Sequence, residues 1–174
     1  MTSAPGTSDR LTLDTSRPEV CALLAQLLAG GTAILIRVTG CSMRPFLQGG
    51  EVVEVRPVRS GAIRYGDLVL ARQAGGALLM HRVLWIRRES GGVLRLQTIG
   101  DAAPYPDPAV GTVDVLGRVC AVVRDRPGGA VRRIDLNSLP WRLYGCVVVA
   151  RQLARLVARR VSARIQPHRT SHSR

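Results

Sequence analysis

Short apolar segments rich in β-branched residues, separated by glycine-containing turns, recur through the middle of the chain and restrict the folds that it can adopt. They occupy residues 32–39, 51–55, 68–71, 77–87, 93–99, 113–123 and 130–136. Turn signals lie between them at Tyr65-Gly66-Asp67, Gly75-Gly76, Gly91-Gly92 and Pro127-Gly128-Gly129. Strands at such short intervals favour antiparallel pairing over a helix-linked parallel sheet. The sequence therefore predicts a mainly β fold built as an antiparallel domain.

Two helices are predicted to flank this β region. Pro18-Glu19 precedes an apolar stretch that Gly30-Gly31 ends, which predicts a short helix over 18–29. Near the other end, apolar residues at helical spacing predict a basic amphipathic helix over 139–164; they are Leu153, Leu156, Val157 and Val161. We divide the chain into a disordered tail (1–17), a β domain with its leading helix (18–136), the basic helix (137–165) and a second disordered tail (166–174).

The charge is strongly unbalanced. The formal net charge is +13, every basic residue except the three histidines is arginine, and residues 136–174 contain no Asp or Glu. Such an excess indicates an anionic partner, although a genome that favours arginine codons would give the same composition. Two interpretations of the basic helix stay open: it lies on an anionic membrane surface, or it docks on the β domain with its arginines in solvent.

Other partners and compartments are less favoured. A nucleic-acid partner is not favoured, because the arginines lack interleaved aromatic residues and one short N-terminal helix is too little for a helix-turn-helix module.

The apolar stretch 20–36 carries Gln26 and two glycines and is too short to span a bilayer. Residues 1–10 show no secretory signal. We expect a membrane-associated or cytoplasmic protein without a transmembrane span, and no metal or cofactor, because no Cys/His grouping has ligand spacing.

Candidate catalytic residues lie in three segments. Ser42 stands in Gly40-Cys41-Ser42-Met43-Arg44-Pro45, where Gly40 permits a tight path and Pro45 stiffens the chain. A serine nucleophile needs an adjacent base, and His81 is the one histidine outside the C-terminal tail. Each residue also has a structural interpretation: Ser42 as a turn residue, and His81 as a strand histidine bonded to backbone.

The third segment begins at Gly100-Asp101 and runs to Asp107. A carboxylate there could fix the tautomer of a catalytic imidazole. Both aspartates could equally cap turns, as Asp beside Gly and Pro commonly does.

The order of these motifs resembles the signal peptidase I and LexA-like serine peptidase superfamily. The resemblance covers residues 32–124 and is strongest in the branch that places histidine before arginine, that of the endoplasmic-reticulum and archaeal signal peptidases. The segments that carry it are Gly40 to Leu47, Gly66-Asp67-Leu68-Val69-Leu70, His81-Arg82-Val83, Gly100-Asp101 and Leu116-Gly117-Arg118-Val119.

The resemblance implies both a set of roles and an activity. Ser42 would be the nucleophile, His81 the general base and Asp107 its orienting carboxylate. Asp101 would brace the loop and the Ser42 amide would serve the oxyanion, with Gly40 and Arg82 as further supporting residues. The implied activity is that of a serine endopeptidase that cleaves a signal or leader peptide from a secreted or modified precursor. The alternative is an inactive relative that binds a peptide or a membrane.

Overall fold

One curled antiparallel sheet forms the body of the computed structural model, which describes residues 17–125 and 131–165. Within those ranges the sheet has eight strands: β1 (Ile34–Arg37), β2 (Val52–Arg56), β3 (Leu68–Arg72), β4 (Leu78–Arg88), β5 (Leu94–Ile99), β6 (Val110–Gly111), β7 (Val115–Asp125) and β8 (Val131–Asp135). Two α-helices flank it, α1 (Pro18–Ala29) and α2 (Leu139–Ile165). Short 3₁₀ turns cover Ser60–Ala62, Ser90–Gly92 and Thr112–Asp114.

The strand order is β1-β2-β7-β3-β4-β5-β6, with β8 also paired to β7, and every pairing is antiparallel. The long strand β7 pairs with β2, β3 and β8, and the sheet curls into a half-barrel. Apolar side chains from β2, β3 and β7 form one core cluster with Leu47, which is fully buried. Burial of this surface is the main favourable term in folding.

The predicted fold class is confirmed: a mainly antiparallel β fold with a short N-terminal helix and a C-terminal helix. Each predicted strand is present within about two residues of its expected ends. The helix predicted over 18–29 has those bounds, and the one predicted over 139–164 runs to Ile165. The two-residue strand β6 was not predicted. The tails predicted to be disordered lie outside the described residues, apart from Arg17, as does the turn at 127–129.

One face of α2 docks on the sheet. Near its start, Trp141 and Tyr144 pack against the Phe46 ring, with centroids 5.6 and 5.3 Å away. Further along, Val149 and Leu156 join Leu84 in a small apolar cluster. The helix therefore covers the side of the sheet that carries the end of β5.

Two glycines let α2 approach the sheet this closely. A Cβ atom built on Gly66, which has a φ of +82°, would lie 2.8 Å from the Gly145 carbonyl carbon. A Cβ on Gly145 would lie 2.8 Å from the Gly66 carbonyl oxygen. Any side chain at either position would push the helix away from the turn that precedes β3.

No helix within residues 17–125 and 131–165 has both the length and the apolar character needed to cross a bilayer.

Candidate active site

Ser42 lies in the loop that follows β1, and the core holds this loop in place. The side chains of Met43, Phe46 and Leu47 are buried, so the chain on the C-terminal side of Ser42 is anchored by apolar contacts. The Ser42 carbonyl accepts a hydrogen bond of 2.8 Å from the amide of Ala102. The Ser42 loop is thus tied to the loop that follows β5.

His81 lies on β4, opposite Val69 of β3, and its side chain is almost fully buried. Its Nε2 atom is 2.8 Å from Ser42 Oγ, and its Nδ1 atom is 2.7 Å from Asp107 Oδ2. A neutral imidazole with its proton on Nδ1 would donate a hydrogen bond to the Asp107 carboxylate, and its Nε2 would accept one from the Ser42 hydroxyl. The three side chains predicted from sequence therefore meet in one continuous chain of hydrogen bonds.

Thr98 and Gln97 on β5 hold Asp107 in position. The Thr98 hydroxyl donates to Asp107 Oδ2 over 2.6 Å, and the Thr98 carbonyl accepts from the Asp107 amide over 2.8 Å. Gln97 Nε2 donates to the Asp107 carbonyl over 2.9 Å. Sequence reasoning missed both residues, because Thr and Gln in a strand carry no signal that distinguishes them from solvent-facing positions.

Gly100 is required because the serine and the histidine both approach it. A Cβ atom built there would lie 2.8 Å from the Ser42 carbonyl oxygen and 3.1 Å from both His81 Nε2 and Ser42 Cβ. Cβ atoms in proteins essentially never lie closer than 3.0 Å to such an atom, so a side chain here would force the backbone to shift. Sequence reasoning noted Gly100 only as part of the Gly100-Asp101 motif. It missed that this glycine leaves room for the contact between Ser42 and His81.

Asp101 and Arg82 form a buried ion pair behind the site. Arg82 Nε and Nη2 donate to the two Asp101 carboxylate oxygens over 2.8 and 2.7 Å, and Nη1 donates to the Gly66 carbonyl over 2.8 Å. The guanidinium carbon lies 5.2 Å from the Phe46 ring centroid and 5.8 Å from that of Tyr144. Successive residues of a strand point to opposite faces, so Arg82 points away from His81 while holding Asp101 beside Gly100.

Gln152 of α2 completes this support. Its Nε2 atom donates to the carbonyls of Gly100 and Asp101 over 3.2 and 2.9 Å, and its side chain is buried. The helix thus contacts the backbone of the same loop that the ion pair braces.

The two predicted oxyanion elements differ in what supports them. Among the described residues, the Ser42 amide has no acceptor, so it is available to a substrate oxygen. Gly40 has no positive φ, and nothing lies within 4 Å of a Cβ built on it. Glycine's conformational freedom is therefore not what this position requires; Gly40 lines an open cleft instead.

That cleft runs between two strands with unpaired edges. β1 pairs with β2 alone, and β4 pairs with β5 only from Arg82 onward, which leaves one edge of residues 78–81 open. A cavity of about 180 Å³ lies between them, lined by residues 36–40, Ser42, Met43, Leu70 and residues 78–80. An extended peptide could pair with either edge while its backbone passes Ser42.

No group of three or more His, Cys, Asp or Glu side chains in the described part of the chain is arranged to hold a metal ion.

The curled antiparallel sheet carries Ser42, His81 and Asp107, which hydrogen bonds join in that order. This combination is characteristic of a serine peptidase-like domain. In agreement, the family model described as Peptidase S24-like matches residues 6–120, about two thirds of the 174 residues, and the chain belongs to that family. The resemblance to the LexA and signal peptidase superfamily is thereby confirmed. A search of curated proteins gave no match.

Proposed function

We propose that this protein is a serine endopeptidase of the signal-peptidase type that uses Ser42, His81 and Asp107 to cleave a leader or signal peptide from a precursor. The observation that carries the proposal is the pair of contacts at His81, 2.8 Å to Ser42 Oγ and 2.7 Å to Asp107 Oδ2. Both fall within the range required for proton transfer between a nucleophile, its base and an orienting carboxylate.

In the first half-reaction, Ser42 Oγ attacks the carbonyl carbon of the scissile peptide while its proton passes to His81 Nε2. The imidazolium that forms is stabilised by Asp107, which accepts from Nδ1–H. The carbonyl oxygen gains negative charge and accepts a hydrogen bond from the Ser42 amide. Collapse of this intermediate breaks the C–N bond, and His81 Nε2 returns the proton to the leaving amine.

In the second half-reaction, water takes the place of the amine. His81 removes a proton from the water, the resulting hydroxide attacks the acyl carbon, and the proton returns to Ser42 Oγ as the new carboxyl end leaves. Thr98 contributes by keeping Asp107 Oδ2 directed at His81, since its hydroxyl donates to the same oxygen.

The substrate is an extended segment, which fits between the open edges of β1 and β4. The cavity of about 180 Å³ beside Ser42 has apolar walls that include Met43, Leu70 and Met80. Cleavage after small residues is what the resemblance to signal peptidases implies, and we expect it here in a segment that the precursor leaves unfolded.

A peptide-library cleavage assay tests this function, with detergent and with anionic lipid present in separate arms. The wild type should cleave, and Ser42→Ala should lower kcat/KM by about ten-thousand-fold or more, as should His81→Ala. Ser60→Ala, which truncates an exposed serine in a 3₁₀ turn, is the matched control and should retain wild-type activity.

Two results would contradict the proposal. If Ser42→Ala cleaves as fast as the wild type, the activity belongs to a contaminant. If the wild type cleaves nothing in any arm yet binds library peptides, the chain is the alternative, a peptide-binding relative without activity.

A further inference from the structure

The face of α2 that points away from the sheet is apolar from Leu139 to Val161. Seven residues at spacings of three and four form this outer stripe: Leu139, Leu143, Val147, Ala150, Ala154, Val157 and Val161. All seven are exposed, and each of the five larger side chains is at least half exposed. Residues at these spacings share one face of a helix, here over roughly 33 Å at 1.5 Å per residue.

The outer stripe is not needed for docking, because the opposite face of α2 makes those contacts. Trp141, Tyr144, Val149 and Gln152 point toward the sheet and are buried or half-buried. A continuous exposed apolar surface of this length on a folded domain marks an interaction site. The question is which partner covers it.

The charges beside the outer stripe favour anionic lipid. α2 contains six arginines and no acidic residue. At 100° per residue, Arg142 and Arg160 fall along one side of the stripe, and Arg151 and Arg155 fall along the other. All four are exposed. This is the pattern of a helix that lies in a membrane interface, with apolar side chains among the acyl chains and arginines at the phosphates.

A second copy of the chain fits this surface less well. Two outer stripes packed together would place arginines against arginines with no carboxylate on either helix, and like charges across an interface cost several kcal/mol. Anionic headgroups instead neutralise the arginines on both sides of the stripe.

Aromatic residues continue the surface onto the β domain. Trp85 and Tyr105, which are 45% and 69% exposed, line a cavity of about 520 Å³ together with Leu153 and Val157 of α2. The Arg159 guanidinium carbon lies 5.3 Å from the Tyr105 ring centroid. Trp and Tyr are the residues that concentrate at membrane–water interfaces.

We propose that the outer stripe binds an anionic phospholipid surface, with α2 parallel to the membrane plane. This inference does not depend on peptidase activity. Because Gln152 and Arg159 donate hydrogen bonds to the backbone of the loop between Gly100 and Asp107, a bound membrane would lie at a fixed place beside the Ser42–His81–Asp107 group.

Vesicle co-sedimentation of the full chain tests the proposal. The probes are phosphatidylcholine vesicles with and without phosphatidylglycerol. The test variant is Val147→Asp with Val157→Asp, and the matched control is Val113→Asp with Val131→Asp, which changes two exposed valines away from α2 and alters the charge equally. The matched charge is essential, because a protein with a net charge of +13 is attracted to anionic vesicles in any case.

We expect the wild type to prefer phosphatidylglycerol vesicles, the test variant to bind them about tenfold or more weakly, and the control variant to bind within about threefold of the wild type. Should the test variant fail to fold, Leu143→Gln examines the same surface. Equal binding by test and control variants would overturn the proposal in favour of charge attraction alone. A wild type that is dimeric, ignores vesicles and becomes monomeric in the test variant would overturn it in favour of a second copy.

Discussion

Gly100→Ala should perturb the contact between Ser42 and His81 without altering either side chain. Gly100 does not have a positive φ, so alanine brings no backbone strain and its effect is purely steric. The added methyl group would lie 2.8 Å from the Ser42 carbonyl oxygen and 3.1 Å from His81 Nε2, whereas ordinary contacts begin at 3.4 Å. Ser42 and His81 must therefore each move away from residue 100 by about 0.3–0.6 Å to restore ordinary contacts.

The expected magnitude follows from that displacement. A misplacement of about 1 Å at a reacting centre costs about a hundredfold in rate. Such a movement would lengthen the 2.8 Å hydrogen bond between Ser42 Oγ and His81 Nε2. We expect kcat/KM to fall about tenfold to a hundredfold, and the free energy of unfolding to fall by about 1–3 kcal/mol from overpacking.

The assay is steady-state cleavage of the best library peptide, together with urea unfolding of the same samples. Gly61→Ala is the control, since nothing lies within 4 Å of a Cβ built there and its φ is not positive. It should leave both quantities close to wild type. A Gly100→Ala variant with wild-type kcat/KM would refute the argument that Ser42 and His81 meet across this glycine.

Two predictions concern ion pairs. Asp101→Ala leaves Arg82 buried with its charge uncompensated and should lower the free energy of unfolding by about 3–5 kcal/mol, measured by urea denaturation. Glu54→Gln should destabilise the protein at neutral pH, with a penalty that shrinks in acid. The hydrogen bond from Arg133 holds the pKa of Glu54 below its ordinary 4.5, so its contribution is present above that pH and is lost as pH falls through the lowered pKa.

Each has its own control. Glu89→Ala removes an exposed ion pair with Arg95 at 3.2 Å and should cost no more than about 1 kcal/mol, so an equal loss from Asp101→Ala would show that burial is not the cause. For Glu54→Gln, unfolding curves at neutral pH and well below pH 4.5 are compared; a penalty that is the same at both would rule out the titration of Glu54 as its source.

The β architecture could be predicted from sequence because its signals are local. Alternating apolar residues indicate strands and paired glycines indicate turns, and both can be recognised without knowing which segments pair in the fold. Strand β6 was not predicted, because a strand of two residues, Val110 and Gly111, is too short to show an alternating pattern. The order of strands in the sheet is likewise a property of the whole fold and not of any segment.

The site divides in the same way. Ser42, His81 and Asp107 were predicted from an order of short motifs that resembles the signal peptidase and LexA-like superfamily, and the fold places the three side chains within hydrogen-bonding distance. The roles of Thr98 and Gly100 depend on which atoms the folded chain brings within about 3 Å of them. The local sequence does not predict those distances.

The basic helix was predicted, but its docked face was not. Leu153, Leu156, Val157 and Val161 were the apolar residues noted, yet of these only Leu156 joins the cluster beneath the helix, while the other three are exposed. α2 is apolar on two opposite faces, so hydrophobic spacing alone could not distinguish the face that packs on the sheet from the face that does not.

In the proposed peptidase, the open edges of β1 and β4 would also select substrates by backbone conformation. A peptide could pair with these edges only if its own backbone amides and carbonyls were unpaired, which would exclude a segment already in a helix or a sheet. Discrimination of this kind does not depend on side-chain identity. A folded domain would pass untouched even if its sequence contained an ideal cleavage site, whereas the same residues in an unstructured leader would be cut. Timing of cleavage relative to folding would thus be set by backbone hydrogen bonding.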